Sequence, residues 1–229
     1  MNKKTKKFTE HYTTKRASQK ELKNRQEIIN QFIKTPVPNN EILENLGLYL
    51  TTKNFSRMLF FYEIYKKIKD TEGVIMEFGL RWGQNLALLI AIRGMLEPYN
   101  IKRKIIGFDT FEGLPKDWNV GGRSEKKGSY SSDGIIPKIK GGEFIKGKFE
   151  DTLPIFFSKN RPIASVMNFD ADLYSSTICA LNFSKNVMDK DTILIFDEFL
   201  MNESWEHDEF KALNEFCSAN NLSYKVIAI

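Results

Sequence analysis

From Gly73 onward the chain alternates short apolar runs with amphipathic stretches, and no other feature constrains its folding as much. Runs of that length bounded by turn residues suit buried strands, and the stretches between them suit helices. Regular alternation of the two demands crossover connections and therefore a parallel sheet. The spacing predicts strands at Val74–Phe78, Lys104–Phe108, Glu143–Phe149, Ile163–Phe169, Thr192–Phe196 and Tyr224–Ile229. It predicts helices at Gln84–Leu96, which is apolar almost all round, at Leu173–Met188, and at Glu203–Asn220, with Phe210, Leu213, Phe216 and Cys217 on one face. The expected fold class is α/β, a doubly wound and mostly parallel sheet spanning residues 71–229.

The preceding residues, 26–70, read as a helical extension. Met58, Phe61, Tyr62, Tyr65 and Ile68 recur at helical spacing, whereas Pro36 and Pro38 break Gln26–Leu50 into two short helices around an extended turn. One connection departs from the regular pattern. Pro115–Gly142 carries Gly121, Gly122, Gly128, Gly134, Gly141 and Gly142, a length that in an α/β domain marks a functional lid or an excursion; Ile135–Ile139 within it suits a short helix or strand.

Composition narrows the function classes. The 229 residues make one ordinary domain, and the two cysteines, Cys179 and Cys217, stand apart from each other and from any His at metal-ligand spacing, as reduced thiols do. No signal-like or membrane-spanning run occurs, so the expected compartment is the cytoplasm. The net charge of +5 invites a nucleic-acid reading, but residues 1–25 hold nine Lys or Arg against Glu10 and Glu21, which leaves the remaining residues at −2. The basic character belongs to a solvated tail, residues 1–25, and a nucleic-acid partner is not expected.

In an open parallel sheet the ligand sits beyond the carboxyl ends of the strands, and here those ends are acidic: Glu77-Phe78-Gly79, Phe108-Asp109, Phe169-Asp170-Ala171-Asp172 and Phe196-Asp197-Glu198. The loop Gly79-Leu80-Arg81-Trp82-Gly83 decides between cofactors. A dinucleotide fingerprint needs glycine where Arg81 and Gln84 stand, which opposes a nicotinamide-dependent oxidoreductase, and no Walker A string occurs. A Glu-x-Gly-x-x-x-Gly turn without a phosphate requirement fits S-adenosylmethionine, a sulfonium with a ribose diol and an adenine. Glu77, Phe78, Gly79, Arg81 and Gly83 then face its methionine end. Asp109, with Thr110 and Phe111, accepts the ribose hydroxyls. Lys148, Phe149 and Glu150 frame the adenine, Asp151 being equally suited to a helix cap.

These strings resemble the macrocin O-methyltransferase family of class I methyltransferases, in order from about Arg57 to the C-terminus. The matching runs are Val74-Ile75-Met76-Glu77-Phe78-Gly79 with Gly83, Gly107-Phe108-Asp109-Thr110-Phe111-Glu112-Gly113-Leu114-Pro115, Gly147-Lys148-Phe149-Glu150-Asp151-Thr152-Leu153-Pro154, Asp170-Ala171-Asp172-Leu173-Tyr174-Ser175-Ser176-Thr177 and Ile195-Phe196-Asp197-Glu198-Phe199. The resemblance implies methyl transfer to a hydroxyl of a small molecule, a sugar or sugar-containing metabolite, assisted by Mg²⁺ or a similar divalent cation on Asp170, Asp197 and Glu198, with Asp170 also serving the cofactor. The family shows Asp-Asp where this chain has Asp197-Glu198. It also draws a His from the long loop, where this chain has none, so the candidate bases are Asp170, Asp172 and His207. The competing classes are an RNA methyltransferase using the basic tail, an oxidoreductase on the same sheet and a non-enzymatic binding module. The sequence leaves a homo-oligomer open.

Overall fold

The computed structural model describes residues 18–120, 123–200 and 204–228. They form two compact units that meet at Ile64 and Tyr65. Residues 1–17, most of the expected tail, lie outside the described residues, as do 201–203 and 229.

In the first unit, helix α1 covers Gln19–Ile33, so it takes in the last seven residues of the expected tail. Its start is set by a capping box: the Glu21 amide donates to Ser18 Oγ at 3.3 Å, and the Ser18 amide donates back to Glu21 Oε2 at 2.7 Å. The helix stops before Pro36 and Pro38. In place of an expected second helix there are two 3-10 turns, Asn39–Glu41 and Leu46–Tyr49, because Asn39, Asn40, Asn45 and Gly47 favour turns over a continued helix. Tyr49 closes this segment, its ring edge-on to Phe32 at 5.1 Å and its hydroxyl bonded to Thr35. Helix α2, Thr52–Ile68, carries the chain into the second unit.

The second unit contains β1 (Val74–Phe78), α3 (Gln84–Leu96), β2 (Ile105–Asp109), a small hairpin of β3 (Trp118–Val120) and β4 (Arg123–Glu125), β5 (Gly142–Lys146), α4 (Phe149–Phe157), β6 (Ala164–Phe169), α5 (Tyr174–Ser184), β7 (Ile193–Phe196) and α6 (Glu209–Asn220). The five long strands form one sheet in the order β5-β2-β1-β6-β7, every pair parallel. The chain winds outward from β1 through β2 to β5 and then resumes at β6 on the other side, so the switch point lies between β1 and β6. Both of those strands are buried along their whole length.

Three expectations are corrected. The third strand ends at Lys146 and Phe149 opens α4, because Gly147 at φ +144 turns the chain there. Ile135–Ile139 takes no regular structure; the regular part of the long connection is the β3–β4 hairpin. Residues 222–228 form no strand, and Leu222, Tyr224, Val226 and Ile227 stay exposed. Their β-propensity is realised only against a neighbouring strand, and no ladder pairs with them.

Below the sheet's amino-terminal edge lies a polar knot built on Arg103, which is 1% exposed. Its guanidinium donates to Glu97 Oε2 at 2.6 Å, Ser165 Oγ at 2.8 Å and the carbonyls of Ile68, Thr71 and Gly73 at 2.8, 2.6 and 3.1 Å. Tyr65 Oη donates to the same Glu97 oxygen at 2.5 Å. Every N–H of the guanidinium is used, as a buried cation requires.

Candidate active site

Phe108, Phe78, Phe169 and Phe196 stand in register on four adjacent strands and stack face to face, with successive centroids 5.1, 5.0 and 5.0 Å apart. This ladder belongs to the core with Phe156, Leu181 and Phe216 of α4, α5 and α6. Side chains alternate across a strand, so the residues flanking the ladder point to the opposite face. Those residues are Glu77, Asp109, Asp170 and Asp197. The ladder hydrogen bonds continue through them, with Gly79 N donating to Phe108 O, Asp170 N to Phe78 O and Asp197 N to Phe169 O. One row of phenylalanines thus sets one row of carboxylates along the mouth of the switch point.

The glycine loop is held from two sides. Gly79 sits at φ +91, and a Cβ there would lie 1.8 Å from the Asp170 carbonyl oxygen, so no other residue fits. From β2, Asp109 Oδ2 accepts the Leu80 and Arg81 amides at 2.6 and 2.8 Å, while Oδ1 accepts the Phe111 amide at 2.6 Å and the Thr110 hydroxyl at 3.5 Å. Arg81 (φ 51) and Phe111 (φ 61) take left-handed backbone under these bonds. Asp109 therefore shapes the loop as well as lying where a ribose is expected. Arg81 is exposed, its guanidinium 5.6 Å from the Tyr130 ring centre, and Gly83 (φ 70) caps α3.

Glu77 is buried, and its Oε1 accepts from Asn85 Nδ2 and Asn168 Nδ2, each at 3.0 Å. The same Asn85 nitrogen reaches Asp170 Oδ2 at 3.2 Å, so one amide ties the acids of β1 and β6 together. Neither asparagine is legible as a site residue from the sequence. The adenine frame is less united: Lys148 and Glu150 are exposed, 4.0 Å apart, but the Phe149 ring turns into the core, edge-on to Phe78 at 5.8 Å. Phe78 likewise spends its ring on the ladder, leaving its backbone to the cleft.

Beyond β6 and β7 the acids crowd. Asp172, half-buried and left-handed at φ 57, is pushed up to about 8 by burial and by the charges of Asp170, Glu198, Asp197 and Asp208. Asp197 is exposed and Glu198 half-buried. Glu209 is fully buried and pushed well above the usual carboxylate range, foremost by burial. Its Oε2 accepts the Glu198 amide at 3.0 Å, and its Oε1 has no hydrogen-bond partner. His207 lies on a 3-10 turn, Trp205–His207, and is exposed. Among the described residues no three acidic, His or Cys side chains form a ready-made metal cage, so the expected convergence of Asp170, Asp197 and Glu198 is not preassembled. The donor set nonetheless suits a hard cation: all donors are oxygens, their charges repel, and a buried carboxylate oxygen among them is left without a donor.

The described residues of the long connection are tied down as a strap by hydrogen bonds. Asp117 accepts Lys126 Nζ at 2.8 Å and the Lys127 amide at 2.9 Å, and the Ser132 and Gly134 amides donate to Phe111 O. Its beginning is fastened by Trp118, which is buried with Leu114 and Leu173 and whose Nε1 donates to Asp208 Oδ2 at 3.0 Å. The fastening is thus made beside Asp172. Trp118→Phe removes that bond to a buried carboxylate, worth ~1.5 kcal/mol. The acceptor KM is expected to rise about tenfold while S-adenosylhomocysteine affinity stays unchanged; an unchanged acceptor KM would detach the strap from acceptor binding.

No protein-family model and no curated protein matches the chain. Among solved structures it is similar to CalS11, a calicheamicin methyltransferase, with 27% identity and a TM-score of 0.81, covering 93% of this chain and 90% of that one. The apo structure of CalS11, described as a TDP-rhamnose 3′-O-methyltransferase of calicheamicin biosynthesis, gives a TM-score of 0.74 at 27% identity, covering 93% and 92%. The O-methyltransferase NovP, at 19% identity and a TM-score of 0.60 over 78% of each chain, shares the fold. With that likeness running through nearly the whole of both chains, the chain is an S-adenosylmethionine-dependent O-methyltransferase with a class I fold, similar to methyltransferases of the macrocin O-methyltransferase-like type.

Proposed function

We propose that the chain methylates a hydroxyl group of a sugar or sugar-containing small molecule, with Mg²⁺ or a similar hard cation held by Asp170, Asp197 and Glu198. The observation that carries this reading is the similarity to CalS11, whose described substrate is a nucleotide-linked rhamnose, together with the crowded carboxylates beyond β6 and β7. Glu77 and the loop from Gly79 to Gly83 hold the methionine end of the cofactor, and the Asp109-Thr110-Phe111 turn lies at its ribose. Lys148 and Glu150 flank the adenine. A cation at the strand ends supplies positive charge that neutralises the acids and lowers the pKa of an acceptor hydroxyl bound there.

Asp172 accepts the hydroxyl proton in this reading, once a cation among the acids offsets the charges that raise it and leaves it ionised. It sits inside the acidic cluster, whereas His207 is exposed on its turn. The hydroxyl O–H bond breaks toward the Asp172 carboxylate, the oxygen bonds to the methyl carbon, and the S–CH₃ bond breaks to leave S-adenosylhomocysteine. Among the described residues no helix is long and apolar enough to cross a membrane, and a cytoplasmic enzyme on a diffusible substrate accords with this.

The test is S-adenosylhomocysteine release from a panel of nucleoside-diphosphate deoxysugars, glycosylated small molecules and RNA. Turnover is expected with the sugar acceptors, to fall at least ~100-fold after EDTA treatment and to return with Mg²⁺. A full rate in the stripped enzyme would remove the cation, and turnover on RNA alone would remove the sugar.

A further inference from the structure

We infer that Glu209 is a fourth carboxylate of the cation site, seating the Glu198 main chain with one oxygen and offering the other to the ion. The inference rests on the cation reading above and extends it to a residue outside the expected ligand set. Glu209 opens α6 on the same stripe as Ala212, Leu213 and Phe216, at spacings of three, four and seven residues, and all four are buried. An acid on the core stripe of a helix demands a partner, because an ionised carboxylate cannot leave water uncompensated. Among the described residues no Lys or Arg pairs with it. Its one hydrogen bond comes from the Glu198 amide, at 3.0 Å to Oε2, and its Oε1 is buried without a donor.

The charges that reach Glu209 are those of Asp170, Asp172 and Asp197, so its surroundings add anions. A cation among the same acids answers both the orphaned oxygen and the repulsion. The arrangement also accounts for Glu198. Its side chain is one methylene longer than the aspartate that the resembling family shows there, and the bond to Glu209 fixes where that longer arm begins. The adjacent Asp208 is committed elsewhere, to Trp118 Nε1.

The experiment is Mn²⁺ binding by electron paramagnetic resonance and calorimetry on the full chain saturated with S-adenosylhomocysteine. Glu209→Gln keeps the shape and the acceptor for the Glu198 amide but removes the charge. It is expected to weaken Mn²⁺ at least tenfold while S-adenosylhomocysteine affinity is kept and the melting temperature without metal is equal or higher. Glu209→Asp, which keeps the charge and shortens the arm, is expected to fall between wild type and Glu209→Gln, and provides the comparison should the glutamine variant not fold. Mn²⁺ affinities within twofold of wild type in these variants overturn the inference and leave the three-ligand reading standing. A wild-type protein that binds no Mn²⁺ overturns both, while methyl transfer itself is judged separately by S-adenosylhomocysteine release.

Discussion

Replacing Arg103 by alanine is expected to cost about 3–5 kcal/mol of stability, the loss that follows when one partner of a buried ion pair is removed. At this chain length that corresponds to a drop in melting temperature of roughly 6–20 °C. The cost comes chiefly from the groups left behind: the Ile68, Thr71 and Gly73 carbonyls and the Ser165 hydroxyl lose the guanidinium as donor, and the Glu97 carboxylate loses its countercharge while keeping its bonds from Tyr65 and Asn100. Arg103→Lys keeps a charge but not the planar fork, so it is expected to recover only part of the loss. A thermal melt within 2 °C or so of wild type for Arg103→Ala would show that the knot does not hold the strand bases. The same knot sets a pH dependence. Burial pushes Glu97 up, but hydrogen bonds from Arg103, Tyr65 and Asn100 with the Arg103 charge outweigh it, and the carboxyl ends below its usual range. Since the folded pKa is depressed, this stabilisation is present above the unfolded carboxylate range and is lost as pH falls through the folded value. Melting temperature followed from neutral pH downward should fall less steeply for Glu97→Gln than for wild type.

Asp109→Asn is expected to weaken S-adenosylhomocysteine at least ~100-fold, nearly as much as Asp109→Ala, although asparagine has almost the same shape. Both aspartate oxygens accept, and three of their four donors are main-chain amides of the glycine loop and the following turn. An asparagine offers one acceptor and one donor, so whichever way it is turned its NH₂ faces an N–H. Two lost charge-assisted bonds at ~1.5–3 kcal/mol each account for a change of that size. Calorimetry on the two variants checks it. Wild-type affinity in Asp109→Asn would mean that the loop keeps its form without the carboxylate.

The two predictions concern residues that differ in how far the sequence announces them. Asp109 closes an apolar run and precedes a turn, so local pattern alone places it at a strand end. The same holds for Glu77, Asp170 and Asp197, for the five long strands and for α3, because strand and helix periodicity is a property of consecutive residues. The apolar run near the C-terminus shows the limit of that logic: Tyr224 to Ala228 has a strand's composition, yet among the described residues it pairs with no strand.

What the sequence by itself determined is therefore the alternation that makes the sheet and the acids at its mouth. The tertiary structure decided which polar residues serve those acids. Arg103 stands in the run Lys102-Arg103-Lys104, indistinguishable there from solvated neighbours, yet it alone is buried. Asn168 meets Glu77 across 91 residues of chain and Trp118 meets Asp208 across 90. Glu209 was the one such residue with a local signature, an acid on a stripe that its partners show to be core. The reason is physical: a hydrogen bond is chosen by the distance between atoms in space, and two groups ninety residues apart acquire that distance only when the sheet between them has formed.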